Sequence, residues 1–145
     1  MEEHLISYNE INFYARMIAR RLKDKENVTH VVGLARGGLI PATIISYALE
    51  LPLITIHVTS YEGKERKGVI GNCNNLFDLP KNSKLLIVDD ICDSGQTTDW
   101  VKEQLSLLEI KHEIACIYTK EKHTNWLDHY GMIIPDDKWI VFPWE

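Results

Sequence analysis

The chain has no surplus of positive charge: 16 lysines and arginines face 21 acidic residues, for a formal charge of −5. Neutralising a phosphate backbone takes a broad basic surface, so nucleic acid is not expected as a main partner. The one basic run, Lys64, Arg66 and Lys67 in "GKERKG", is either a mobile basic loop or a solvated charge run. Cysteine is scarce as well. Cys73, Cys92 and Cys116 form an odd set without C-x-x-C spacing, which argues against a disulfide framework and suits reduced thiols packed as small hydrophobes. Long apolar runs are missing. The longest, Leu39 to Ile56, is broken by Glu50 and Pro52, and neither half reaches the ~20 residues of a membrane span. The start "MEEHLIS" is acidic and lacks the basic-then-apolar order of a secretory signal, so a cytoplasmic protein with no membrane segment is expected. The six histidines show no metal-ligand spacing, and His123 and His129 read as surface residues.

What remains is an ordinary globular composition, 45% apolar and 26% charged over 145 residues, which fits a single domain (residues 1–145) around one core. Ser7 and Glu10 form a capping-box pattern, and Ile11, Ala15, Ile18 and Leu22 recur at helical spacing, so a helix is predicted from about Tyr8 to Lys23. "VTHVVGL" reads as a strand that runs into "ARGG" and then into a helix starting near Pro41. A strand over Leu51–Ser60 follows, and the stretch from Tyr61 to Ser83 reads mostly as a long loop with a short hairpin. "KLLIVDD" is the third strand, Gln96–Leu108 a helix, "HEIACIYT" the fourth strand, and "KWIVFPWE" a short last one. This alternation implies an α/β fold with a parallel sheet covered by helices on both faces. Ligands of such sheets bind beyond the carboxyl ends of the strands, where "ARGG", "TSY", "DDICDSGQTT" and "TKEK" collect.

"IVDDICDSGQTT" carries the chemistry. Neighbouring side chains on a strand point to opposite faces, so Asp89 and Asp90 are expected to splay around a ligand such as the two hydroxyls of a ribose. After Asp93, "SGQTT" opens a helix whose first N–H groups lack internal partners and form a seat for an anion. Each hydrogen bond to a charged oxygen contributes about 1.5–3 kcal/mol, against ~0.3–1 kcal/mol for the helix dipole. The amides and the hydroxyls of Ser94, Thr97 and Thr98 therefore outweigh the dipole, and Gly95 lets the backbone come close. Nucleotide loops of the G-x-G-x-x-G and G-x-x-x-x-G-K-[ST] types are absent.

This run resembles the phosphoribosyl pyrophosphate (PRPP) signature of type I phosphoribosyltransferases. "GLARGGLIPA" is similar to that family's pyrophosphate loop, Ser60-Tyr61 to the start of its mobile loop, and "YTK" with "WIVFPWE" to the base-binding end of its hypoxanthine, xanthine and guanine (6-oxopurine) enzymes. The resemblance implies a parallel-sheet fold with a mobile active-site loop and a small C-terminal hood. It also implies transfer of the 5-phosphoribosyl group of PRPP to a purine, giving a nucleoside 5′-monophosphate and pyrophosphate.

By the same resemblance Asp89 and Asp90 hold the ribose hydroxyls, Asp90 also lies near Mg²⁺, and Asp93 manages a proton at N7 of the purine. Ser94, Gly95, Gln96, Thr97 and Thr98 take the 5′-phosphate, while Ala35, Arg36, Gly37 and Gly38 meet the pyrophosphate, with a cis peptide at Ala35-Arg36. Lys120 donates to the 6-oxo oxygen, with Lys122 as its competitor, Trp139 stacks on the base, and the backbone of Ile140 reads its 2-position. A loop from Ser60 to about Asn75 closes over the reacting groups. The implied partners are PRPP and a purine base, in a homodimer or homotetramer to which Trp100 or Trp126 could supply an interface. Two rivals remain: a non-catalytic PRPP-sensing regulatory protein of the same fold, and a receiver-like signalling domain, whose acids would be expected near the first strand rather than the third.

Overall fold

A computed structural model describes residues 2–24, 27–62 and 67–145, with the backbone alone at 60–62 and 67–70. In chain order the elements are β1 (Glu2–Leu5), α1 (Tyr8–Leu22), β2 (His30–Ala35), α2 (Leu39–Leu49), β3 (Leu53–Glu62), β4 (Lys67–Gly71), β5 (Lys84–Cys92), α3 (Gln96–Leu107), β6 (Lys111–Lys120), β7 (His129–Ile134) and β8 (Lys138–Val141). Short 3-10 helices occupy Asn74–Leu76 and Glu121–Trp126. The main sheet has the order β4-β3-β2-β5-β6-β7. Five of its strands run parallel, and β4 folds back antiparallel on β3 at the edge. In the stretch from Tyr61 to Ser83, β4 forms the short hairpin with β3, and residues 72–83 carry no strand and only the 3-10 turn Asn74–Leu76.

The core follows from the strand period of two. In β5, Leu86 and Val88 face α1 and α2, while Leu85 and Ile87 face α3. Helix α1 buries Ile11, Ala15, Ile18, Ala19 and Leu22 against the first face, as its spacing predicts. Each fully buried isoleucine or leucine there contributes about 1.5–3 kcal/mol, so an aspartate at Ile18 would detach the helix. Ser7 caps α1, accepting the Glu10 N–H at 3.1 Å. The other half of the expected capping box does not form, because the Glu10 carboxylate accepts the Tyr118 hydroxyl instead and ties α1 to β6. α2 begins at Leu39, two residues before Pro41, which therefore lies inside the first turn.

The hood is built from both ends of the chain, for β8 pairs in parallel with β1, Glu2 opposite Lys138 and Leu5 opposite Val141. Phe142 and Trp144 stack beneath it with ring centroids 4.9 Å apart, and Tyr118 meets Phe142 from the core side. No helix among the described residues is long and apolar enough to cross a membrane.

Candidate active site

Parallel strands end on one side of a sheet, so the segments after β2, β5 and β6 converge. Asp89, Asp90 and residues 91–98, together with Trp139, line a cleft of about 480 Å³. Gly95 is the N-cap of α3 with φ 82°, a left-handed conformation that other residues rarely adopt, and it turns the chain so that the amides of the first helical turn open onto the cleft. Ser94 Oγ accepts the Gln96 N–H at 3.3 Å. Thr98 is buried, and its hydroxyl donates inward to Cys92 Sγ at 3.7 Å, so this residue offers the cleft its backbone rather than its oxygen. Asp93 is exposed at the cleft mouth.

The two acids do not splay. Asp89 Oδ1 accepts the Asp90 N–H at 2.9 Å and Asp90 Oδ1 accepts the Ile91 N–H at 2.7 Å, and the two carboxyl groups lie within hydrogen-bond reach of one another. Burial, then the neighbouring Asp90 charge, holds the Asp89 carboxyl well above the usual carboxylate range. Burial also raises Asp90, with a smaller contribution from the Glu145 charge near the chain end. No lysine or arginine among the described residues is ion-paired with either acid.

The loop after β2 meets this pair directly. The Ala35-Arg36 peptide is cis, Gly38 N–H donates to Leu34 O at 2.8 Å, and Arg36 is exposed. A Cβ on Gly37 would stand 2.1 Å from Asp90 Oδ2, and one on Gly38 would stand 2.3 Å from Val88 O. Both positions thus need glycine for space. The backbone of Ser60 and Tyr61 lies in the β3–β4 hairpin, opposite Val69 and Gly68. Lys64 and Arg66 lie outside the described residues, and Lys67 is described by its backbone alone.

At the base end, Lys120 closes β6 and is only 5% exposed. Its Nζ donates to Pro135 O at 2.8 Å and Lys138 O at 2.9 Å, leaving one of three ammonium donors. Lys122 is exposed on the following 3-10 helix. Trp139 is 52% exposed at the cleft. The carbonyls of Asp137 and Val141 accept from Glu2 and Ile6 in the β1 segment, so by alternation the backbone of Lys138 and Ile140 faces the opposite edge, the one on which Lys120 lies.

Several residues here escaped the sequence reading. Ile91 and Cys92 line the cleft between the acids and Asp93. The three cysteines are free and buried, as expected, and a hydrogen bond with Cys116 holds the Cys92 thiol down at about 7 while Cys116 is pushed well up. His123 and His129 are not surface residues: His123 is buried against Trp126, and His129 bonds Glu113 at 2.7 Å. Trp100 is half-buried, close to Gly71, whereas Trp126 is 36% exposed, with its indole against Gly95. The apolar residues between the acids carried a local signal; His129, Trp100 and the seating of Trp126 depend on contacts distant in sequence.

Residues 2–145 match the phosphoribosyl transferase domain family. A xanthine-guanine phosphoribosyltransferase of Desulfotalea psychrophila is 34% identical over 97% of this chain and 84% of its own length, and one from Gluconobacter oxydans is 33% identical over 97% and 83%. Among solved structures, a purine phosphoribosyltransferase from Pyrococcus horikoshii superposes with a TM-score of 0.82 at 30% identity, covering 100% of this chain and 95% of that one. The chain belongs to the phosphoribosyltransferase family.

Proposed function

We propose that this phosphoribosyltransferase acts in purine salvage, moving the 5-phosphoribosyl group of PRPP onto a 6-oxopurine (hypoxanthine, guanine or xanthine). The observation that carries the reading is the single cleft in which Asp89 and Asp90, the 93–98 turn and Trp139 face one another. In the reaction the C1–pyrophosphate bond breaks, a bond from C1 to the purine nitrogen forms, and positive charge develops on the ribose ring. Asp89 and Asp90 hold the ribose hydroxyls and, as fixed carboxylates, stabilise that charge. Asp93 at the mouth takes the proton at N7. Ser94, Gly95, Gln96, Thr97 and Thr98 bind the 5′-phosphate, and Ala35, Arg36, Gly37 and Gly38 bind the pyrophosphate. The spare donor of Lys120 reaches the 6-oxo oxygen, Trp139 stacks on the ring, and the free backbone edge at Ile140 reads the 2-position. Ser60 and Tyr61 begin the segment that closes over the cleft and excludes water.

Mg²⁺ fits the donors present. A half-buried acidic pair without a partner cation suits an ion that keeps waters and takes one or two carboxylates plus substrate phosphates. Among the described residues no group of three or more His, Cys, Asp or Glu forms a cage for it. Asp90 would hold the ion, which when bound neutralises charge on the departing pyrophosphate.

A cytoplasmic homodimer or homotetramer, with one domain per chain, completes the proposal. Exposed Tyr47 and Leu53, which share one hollow, support the assembly, and light scattering after gel filtration gives its size. The activity is tested by incubating the folded protein with PRPP, Mg²⁺ and each base in turn. Pyrophosphate release with at least one 6-oxopurine is expected; silence with all three rejects the reading, and PRPP binding without turnover would mark a regulatory protein instead.

A further inference from the structure

The indole of Trp126 occupies the space that a side chain at Gly95 would take. A Cβ there would stand 1.9 Å from Trp126 Cζ3 and 2.5 Å from Cε3. Gly95 is the turn that aims the first amides of α3 into the cleft. The main-chain carbonyl of Trp126 accepts Lys102 Nζ from a later turn of the same helix, so this one residue holds α3 at two levels. Its own position is fixed at both ends. The 3-10 helix Glu121–Trp126 starts directly after the buried Lys120. Just beyond it Asp128 exchanges bonds with Ile114, N–H to carbonyl at 2.9 Å and carboxylate from N–H at 2.8 Å.

Behind the indole lies His123, 5% exposed, with ring centroids 4.4 Å apart at 35°. Neither ring nitrogen of His123 has a hydrogen-bond partner among the described residues. Burying an unpartnered imidazole opposes folding, and what the ring does make is this contact with Trp126.

We propose that Trp126, backed by His123, is a positioning residue for the sugar-phosphate seat. It acts through Gly95 and touches no reacting atom. This rests on the phosphoribosyl-transfer reading of the cleft. Several charge-assisted bonds to one phosphate depend on the placement of a single turn, so a small shift of Gly95 weakens all of them together. The shift is felt equally in ground and transition states, so it appears in KM for PRPP and not in kcat.

The test compares Trp126→Ala, Trp126→Phe and His123→Ala with the wild type in steady-state kinetics, thermal unfolding and calorimetric binding of ribose 5-phosphate. Trp126→Ala should raise KM for PRPP about tenfold with kcat and the purine KM within about twofold, Trp126→Phe should recover most of the loss, and His123→Ala should give about a threefold rise. An unchanged KM for PRPP in folded Trp126→Ala, or equal losses for both substrates, overturns the proposal. If Trp126→Ala does not fold, an unchanged KM in His123→Ala overturns it. Binding of ribose 5-phosphate separates the two claims. A wild type without turnover that binds it, with about tenfold weaker binding in Trp126→Ala, defeats the transfer reading and keeps the positioning role; a wild type that neither turns over nor binds defeats both.

Discussion

The two ends of the sheet treat buried charge in opposite ways. Where β5, β6 and β7 begin, the Glu113 carboxylate is enclosed by Lys84 at 2.7 Å and His129 at 2.7 Å. Where β5 ends, Asp89 and Asp90 lie against each other, both raised by burial and Asp89 further by the Asp90 charge, with no cation paired to them among the described residues. Charge paired within the chain serves the fold, whereas charge left unpaired at a cleft is unfavourable until something outside the chain binds it. The difference supports the proposal that the strand tips receive a cationic or hydroxyl-bearing ligand, and it does so independently of any family resemblance.

The sharpest way to break the comparison is Asp90→Asn. It should cut kcat/KM by about 100- to 1000-fold, as loss of one fixed electrostatic partner does, and yet raise the melting temperature at neutral pH. The sign follows from the direction of the shifts. A carboxyl whose folded pKa is raised contributes stability that is complete below the usual carboxylate pKa and is lost as pH rises through the raised value. The stabilisation of the variant should therefore be present at neutral pH and vanish in acid, which thermal unfolding across pH would reveal. Next in size, Lys120→Met removes a charged donor worth about 1.5–3 kcal/mol and should raise the purine KM by roughly 10- to 100-fold, whereas Lys122→Ala should leave it nearly unchanged. Gly37→Ala, which drives a methyl group against Asp90 Oδ2, should raise KM for PRPP about tenfold. At the opposite end Glu113→Gln should lower stability by roughly 2–3 kcal/mol, toward the low side for a buried pair because the Lys84 side chain is 25% exposed. It should leave kcat and both KM values as they were, so a kinetic effect there would blur the contrast between the two ends.

Much of this was legible in the sequence because it is local. The spacing of Ile11, Ala15, Ile18 and Leu22 marked α1, the apolar run before Asp89 marked β5, and "DSGQTT" marked the start of α3. The turn at Gly95 could be read for the same reason, since it and the helix start that follows it are contiguous. β1 was not legible: its four residues, "EEHL", are all exposed and find their partner strand only at Lys138–Val141. β7 escaped because it is an edge strand, half exposed and broken by Gly131, where a side chain would press within 2.6 Å of Ile117 O. The burial of His123 and the seating of Trp126 on Gly95 are tertiary events. Local pattern carries no trace of them.

The most direct test of the central claim is a crystal structure of the protein with PRPP and Mg²⁺. The account predicts the 5′-phosphate on the amides of residues 94–98, the ribose hydroxyls at Asp89 and Asp90, and the pyrophosphate against Arg36, Gly37 and Gly38. A sugar phosphate bound elsewhere, with the acidic pair still facing only itself, would contradict it.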